Sequence, residues 1–139
     1  MNIATKEDVR ELLNTDTMDR YTLETLLNYL KNEDVEPVAC ASALKTMIDA
    51  IGELADLLEK GARVMRNIGS GDIANRLVNI GTKSLEIHND LNSAFAEAGS
   101  NPAYADFKKA SMFIIGRIEK RLGDMDNIQK EMAAISTRL

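Results

Sequence analysis

Three long stretches of the chain carry apolar residues at alternating spacings of three and four, and this pattern constrains the fold more than any other feature. Such spacing places apolar side chains on one stripe of an α-helix. The stretches span residues 37–68, 72–98 and 102–139. Each is much longer than the mean globular helix of about 11 or 12 residues. The pattern therefore predicts an all-α fold built on an elongated bundle of three long antiparallel helices with heptad seams.

Turn signals mark the ends of these stretches. Pro37 suits the first position of a helix, and Gly69 suits the left-handed residue that follows one. Asn101 and Pro102 combine a capping side chain with a helix-starting proline, so we expect the third long helix to begin at Pro102. The side chains expected in the bundle core include Ile51, Leu54, Ile80, Leu91, Ile114 and Ile118, together with Tyr104 and Phe107.

Two shorter helices are predicted before the long ones. Residues 6–14 follow Thr5, a suitable N-cap, and residues 19–32 carry four leucines on one helical stripe. We divide the chain into a helix-turn-helix-like pair at residues 1–36 and a three-long-helix bundle at residues 37–139. The two parts are expected to form one structural unit.

Composition narrows the functional classes. The net charge of −5 disfavours a general nucleic-acid or anionic-membrane binder, since both are normally basic. Cys40 is the only cysteine, which excludes an intrachain disulfide and fits a reducing compartment. No apolar run is long enough for a signal peptide or a membrane span. We therefore expect a cytoplasmic protein with no membrane partner.

The candidates for catalysis or metal binding are few. His88 is the only histidine, whereas a di-iron bundle needs Glu-x-x-His on two helices and a zinc site needs more His or Cys ligands. Asp49, Glu53 and Asp56 share a helix face, which we interpret as a solvated acidic face rather than a magnesium site. Cys40 is interpreted as a core thiol. We predict no catalytic, cofactor-binding or metal site and no enzymatic activity.

Basic residues form two groups, which together are a candidate for one basic patch. Three arginines flank the turn between the first two long helices, and the third long helix carries further lysines and arginines. A solvated salt-bridge face is the favoured interpretation, with nucleic acid as a possible but not favoured partner. The candidate basic patch consists of Arg63, Arg66, Arg76, Lys108, Lys109, Arg117 and Lys120.

Arg121 is the unusual residue on the third seam. One interpretation is that a charged seam residue fixes register and oligomeric state. The favoured interpretation is a slight rotation of the helix, which turns Leu122 inward and lays the Arg121 stem along the rim.

The second half of the third long helix is the predicted oligomer interface. A hairpin of the first two long helices cannot obviously cover its apolar stripe, and monomers rarely leave such a stripe exposed. The alternative is that the N-terminal pair folds back and covers it. The candidate interface residues are Met125, Ile128, Met132, Ile135 and Leu139.

The sequence thus favours a non-enzymatic helical interaction protein that self-associates and binds a macromolecular partner, as an assembly factor, adaptor or inhibitor does. The hairpin Leu54–Leu91, with its segments Leu57–Gly61 and Lys83–Leu91, resembles the oligomerising hairpin of phage small terminase subunits over less than a third of the chain. That resemblance implies the alternative function, a nucleic-acid-associated helical oligomer of the DNA-packaging type. A magnesium-dependent all-α nucleotide hydrolase is the third hypothesis.

Overall fold

The computed structural model describes residues 1–139 and is all-α, which confirms the predicted fold class. Five α-helices follow one another without any strand: α1 (Lys6–Leu13), α2 (Arg20–Leu30), α3 (Pro37–Asn67), α4 (Gly71–Ser100) and α5 (Phe107–Ser136). A short 3₁₀ turn at Pro102–Tyr104 precedes α5. None of these helices combines the length and the apolar character needed to cross a membrane.

Side-chain caps explain where the two short helices begin. Thr5 and Asp8 form a capping box at α1, and the backbone N–H groups of Ala4 and Thr5 hold the pKa of the Asp8 carboxyl below its usual value. At α2 the side chain of Asp19 accepts a hydrogen bond from the backbone N–H of Thr22, which lowers the pKa of Asp19.

The predicted start of the last long helix is wrong. The side chain of Asn101 accepts the N–H of Ala103, and this cap produces only the 3₁₀ turn. The helix begins at Phe107, where the Asp106 carboxylate accepts the N–H groups of Lys108 and Lys109. Because the acidic cap satisfies two free amide donors at once, it sets the start of the helix better than the proline does.

Contacts between the long helices show which of them run side by side. Gly69, at φ 86°, has the left-handed conformation predicted from the sequence, and the three-residue connection turns α4 back along α3. Arg76 near the start of α4 pairs with Glu131 near the end of α5, while Asp90 pairs with Arg117 nearer the start of α5. The two helices α4 and α5 therefore run in opposite directions.

The N-terminal helices pack onto the long ones. Helix α1 lies against α3 and α5, and α2 lies against α5. Gly61, the one interruption of the α3 stripe, marks the contact with α1: a Cβ atom there would lie 3.5 Å from a Val9 methyl group. Lys31 at the end of α2 pairs with Glu119 of α5 at 2.6 Å. One continuous apolar core thus includes side chains from Ile3 to Ile135.

The predicted core residues are confirmed with two exceptions. The six aliphatic side chains proposed for the core are 0–3% exposed. Phe107, however, is 61% exposed, and Tyr104 is only partly buried, because both lie at or before the first turn of α5. The confirmed residues are Ile51, Leu54, Ile80, Leu91, Ile114 and Ile118.

Candidate functional site

The apolar stripe on the second half of α5 lies inside the single chain. Met125, Ile128, Met132 and Ile135 are 0–2% exposed, and Leu139 is partly buried against the core. The predicted interface rested on the assumption that nothing within the chain covers this stripe. That assumption is wrong. The N-terminal helices cover the stripe, as the alternative prediction stated.

Specific hydrogen bonds hold that cover in place. The Gln129 side chain donates from Nε2 to the carbonyl of Thr15 at 2.9 Å and accepts the backbone N–H of Met18 at 3.3 Å. The Arg10 guanidinium of α1 donates to the carbonyl of Leu139. The turn between α1 and α2 is thus clamped to α5, so the stripe is not available to a second copy in this conformation.

The candidate basic residues do not form one patch. Arg63 and Arg66 lie in the last turns of α3, whereas Lys108 lies at the start of α5 and donates to the carbonyl of Asn32. These groups sit at opposite ends of the long helices, separated by roughly 40 Å at 1.5 Å per residue. Lys109 is exposed at the end where Lys108 lies.

The remaining basic candidates lie along the helices between these ends. Arg76 binds Glu131 through two hydrogen bonds of 2.6 and 3.1 Å, and the pKa of Glu131 is lowered by this contact. Arg117 binds Asp90 at 2.7 Å. Lys120 is exposed on α5. The two arginines are therefore engaged in holding α4 against α5.

Arg121 has the rim position that the sequence favoured. Leu122 is 6% exposed and faces the core, while Arg121 is partly exposed and forms ion pairs with Asp90 and Asp124 at 3.5 and 3.2 Å. Arg121 is therefore part of the α4–α5 surface rather than of the seam.

His88 is held between two helices. Its Nδ1 lies 2.8 Å from the carbonyl of Ile48, so Nδ1 carries the proton and donates it to that oxygen. Its Nε2 lies 2.9 Å from the amide nitrogen of Asn92 and accepts from it. The ring packs on Gly52, where a Cβ atom would lie 2.6 Å from Cε1 of the imidazole. With both nitrogens engaged, His88 fastens α4 to α3, a role that sequence reasoning missed although a glycine inside a long helix signals close packing.

The other candidates for chemistry have ordinary surroundings. Cys40 is buried, and its Sγ lies 3.6 Å from the carbonyl of Leu30. Asp49 and Asp56 pair with lysines one turn away on α3, and Glu53 is exposed. No group of three His, Cys, Asp or Glu side chains has the arrangement of a metal site.

One feature left uncovered is a groove between α3 and α4, with a volume of about 390 Å³. Small residues form its floor, and two apolar side chains of α4, Val78 and Leu85, stand at its edge with 40% and 49% exposure. We call this feature the α3–α4 groove; it is lined by Gly52, Ala55, Asp56, Glu59, Ala62, Arg63, Arg66, Val78, Gly81, Thr82 and Leu85.

Helical geometry explains why the groove stays open. At about 100° per residue, Val78 and Leu85 lie on the side of α4 opposite to Arg76 and Asp90, which face α5. Gly81 lets α3 approach closely, since a Cβ atom there would lie 3.5 Å from Leu58 Cβ. The groove therefore has a floor of small residues and faces away from α5.

The α3 edge of the groove is charged and changes sign along the helix. Asp56 and Glu59 precede Arg63 and Arg66, and Glu59 pairs with Arg63 at 2.8 Å within the helix. Apolar residues inside a charged border are typical of surfaces that bind other proteins.

Comparisons of the chain with protein-family models, with curated proteins and with solved structures gave no significant match.

Proposed function

We propose that this chain is a non-enzymatic helical interaction protein that self-associates through the α3–α4 groove and, as a dimer, binds a macromolecular partner as an assembly factor, adaptor or inhibitor. In this proposal the three long helices act as an elongated antiparallel bundle that presents the groove. The observation that carries the proposal is the exposed pair Val78 and Leu85 above a floor of small residues. An amphipathic helix fits such a surface with its apolar stripe.

The charges of the groove favour a second copy as its occupant. A two-fold axis perpendicular to α3 brings Asp56 and Glu59 of one copy onto Arg63 and Arg66 of the other. Because an isologous interface uses the same surface on both copies, it must be complementary to itself. The change of sign along α3 meets this requirement.

The same operation suits α4. Leu77 lies beside Gly61 of α3, so the axis passes close to Val78, which then faces Val78 of the other copy, while Leu85 lies on the same face farther from the axis. The Val78 side chains of the two copies then shield each other from water, at about 25 cal/mol for each Å² removed.

The test is the molar mass in solution at micromolar concentration, measured by light scattering. We expect a dimer that dissociates on Val78→Asp or Leu85→Asp substitution. Met112→Asp is the matched control, because Met112 is also 40% exposed but lies on α5 outside the groove. A wild-type protein that is strictly monomeric, or a dimer that only the control disrupts, would reject the proposal.

Charge reversal tests the two-fold arrangement. Glu59→Arg and Arg63→Glu each place like charges across the axis, so each variant alone should dimerise more weakly than the wild type. A mixture of the two variants restores both opposite-charge pairs, and we expect heterodimers in that mixture. Failure of the mixture to associate better than either variant would exclude this geometry.

The nucleic-acid alternative predicts a different result. Binding to DNA that weakens steeply with salt, and that is lost on Arg63→Ala and Arg66→Ala substitution, would favour a nucleic-acid-associated oligomer instead. Nucleotide hydrolysis that depends on Mg²⁺ would favour the hydrolase hypothesis.

A further inference from the structure

The outward face of α2 carries the two most exposed large apolar or aromatic side chains of the protein. Tyr21 is 79% exposed and Tyr29 is 62% exposed. At about 100° per residue, Tyr21, Thr25 and Tyr29 form one stripe, about 12 Å long, on the side of α2 opposite to its buried leucines. We call this stripe the tyrosine face; it points away from α5, against which α2 packs.

The negative charge of the chain is concentrated around the tyrosine face. Residues 16–36 include six carboxylates and two cations, a net charge of −4, whereas the whole chain has a net charge of −5. The two cations are already paired, Arg20 with Glu24 at 2.7 Å and Lys31 with Glu119 at 2.6 Å. The exposed carboxylates of this segment that form no ion pair are Asp16, Glu33, Asp34 and Glu36.

Helix α5 does not neutralise these carboxylates. Lys108 reaches the far end of α2, but its ammonium donates to the carbonyl of Asn32 at 3.3 Å rather than to a carboxylate. Near the start of α2, helix α5 contributes Asp126, which is itself paired with Lys130. The tyrosine face therefore lies between two acidic ends of α2.

Aromatic rings between carboxylates suit a cationic partner. A guanidinium or ammonium group over a tyrosine ring is attracted by the negative face of the ring. Within the chain, the Arg117 guanidinium lies 5.7 Å from the centroid of Phe113, whereas no cation of the chain lies over Tyr21 or Tyr29. A second copy would present the same acidic segment, so a two-fold pairing of these faces would bring like charges together.

We propose that the tyrosine face binds a basic, arginine-rich segment of a partner protein. Arginines of the partner stack on Tyr21 and Tyr29, and further basic residues pair with the carboxylates at both ends of α2. Arginine is favoured over lysine because its planar guanidinium stacks on aromatic rings as well as pairing with carboxylates.

This inference rests on the proposed function, because it names the chemistry of the macromolecular partner that the dimer binds. The tyrosine face lies on α2 and the groove lies between α3 and α4, so substitutions can address the two surfaces separately.

The probe is a short peptide of alternating arginine and glycine, compared with a lysine–glycine peptide of the same length and charge. Binding to the full chain is measured at low salt by the fluorescence anisotropy of the labelled peptide, since salt screens exposed charges. We expect saturable binding of the arginine peptide and several-fold weaker binding of the lysine peptide. Equal affinities for the two peptides would overturn the proposal.

Substitution of the tyrosines tests the contribution of their rings. Tyr21→Ser and Tyr29→Ser should each weaken binding of the arginine peptide about two- to fivefold, the value of an exposed cation–π contact. Tyr21→Phe and Tyr29→Phe keep the ring and should retain the affinity. Both side chains are more than half exposed, so we expect the serine variants to fold as the wild type does.

Glu33→Gln tests whether the position of a carboxylate matters or only the net charge. It should weaken binding of the arginine peptide, whereas Glu53→Gln removes the same charge from the exposed face of α3 and should have a smaller effect. The proposal is overturned if the arginine peptide does not bind, if the serine variants bind it as the wild type does, or if the two glutamine variants weaken it equally.

Light scattering separates this inference from the proposed self-association. Tyr21→Ser and Tyr29→Ser should remain dimers, and Leu85→Asp should become a monomer that still binds the arginine peptide. A dimer that does not bind the peptide would reject the tyrosine face alone, and a monomeric wild type that binds it would reject the self-association alone.

Discussion

The second half of α5 and the outer face of the α3–α4 pair are both apolar surfaces with helical spacing, yet only the first is covered. On α5, side chains such as Met125 and Ile135 lie under α1 and α2 and are fully buried. On the α3–α4 pair, Val78 and Leu85 remain exposed above a floor of small residues. The comparison teaches that an apolar stripe indicates burial, but not whether the same chain or another one buries it.

The largest expected effect concerns the covered stripe. Ile135→Ala should lower the free energy of unfolding by about 2–5 kcal/mol, because it opens a cavity at a fully buried site. Urea denaturation at low protein concentration measures it. Met112→Ala is the exposed control and should change the free energy by less than about 0.5 kcal/mol. Equal, small effects of both substitutions would show that the N-terminal helices do not cover α5.

The second largest change in the free energy of unfolding is expected at the contact between Gly52 and His88. Gly52→Ala should cost about 1–3 kcal/mol, since its Cβ atom would overlap the imidazole ring and force α3 and α4 apart. The double variant with His88→Ala should recover most of that loss. Gly116→Ala is the matched control: apart from the adjoining helix backbone, no atom lies within 4 Å of the added methyl group, and alanine favours a helix, so stability should rise. A Gly52→Ala variant as stable as this control would contradict the packing described.

The ion pair between Arg76 and Glu131 gives a smaller, pH-dependent effect. Its hydrogen bonds hold the pKa of Glu131 below the usual 4.5. The pair therefore contributes stability above about pH 4.5, and this contribution is lost as the pH falls through the lowered pKa. Glu131→Gln should reduce the urea midpoint at pH 6 by less than Gly52→Ala does, and by a smaller amount at pH 3 than at pH 6. Glu53→Gln is the control, because Glu53 is exposed and its substitution should not change the difference between the two pH values.

The smallest effect on stability is expected in the α3–α4 groove. Leu85→Asp should alter the free energy of unfolding of the monomer by less than about 0.5 kcal/mol, as surface substitutions usually do. The same substitution should abolish dimerisation. A variant that loses several kcal/mol as a monomer would mean that Leu85 is part of the core, which would remove the difference between the two regions.

Several features followed from the sequence because they depend on residues close together in the chain. Thr5, Gly69 and the leucines of α2 act within one or two helical turns, so the helices and most of their ends were predicted. The start of α5 was missed because two signals compete there, and the Asp106 cap supplies more hydrogen bonds than the Asn101–Pro102 pair.

The candidate sites depended on residues far apart in the chain, and these were predicted less well. The seven candidate basic residues share a charge but not a surface, because the helix directions separate Lys108 from Arg63. The role of His88 was missed because its partners, Ile48 and Gly52, lie on another helix.

By itself the sequence determined the all-α fold class, the number of helices and the face of each long helix that turns inward. Backbone hydrogen bonding, capping and apolar periodicity act over a few residues, so they can be recognised without knowing the fold. Only the tertiary structure decided that α1 and α2 cover α5 and that the α3–α4 groove stays open. Burial of apolar surface is non-directional, and any helix with a matching face can provide it. The choice among such faces depends on contacts like those of Gln129 with Thr15 and Met18, which join residues more than a hundred positions apart.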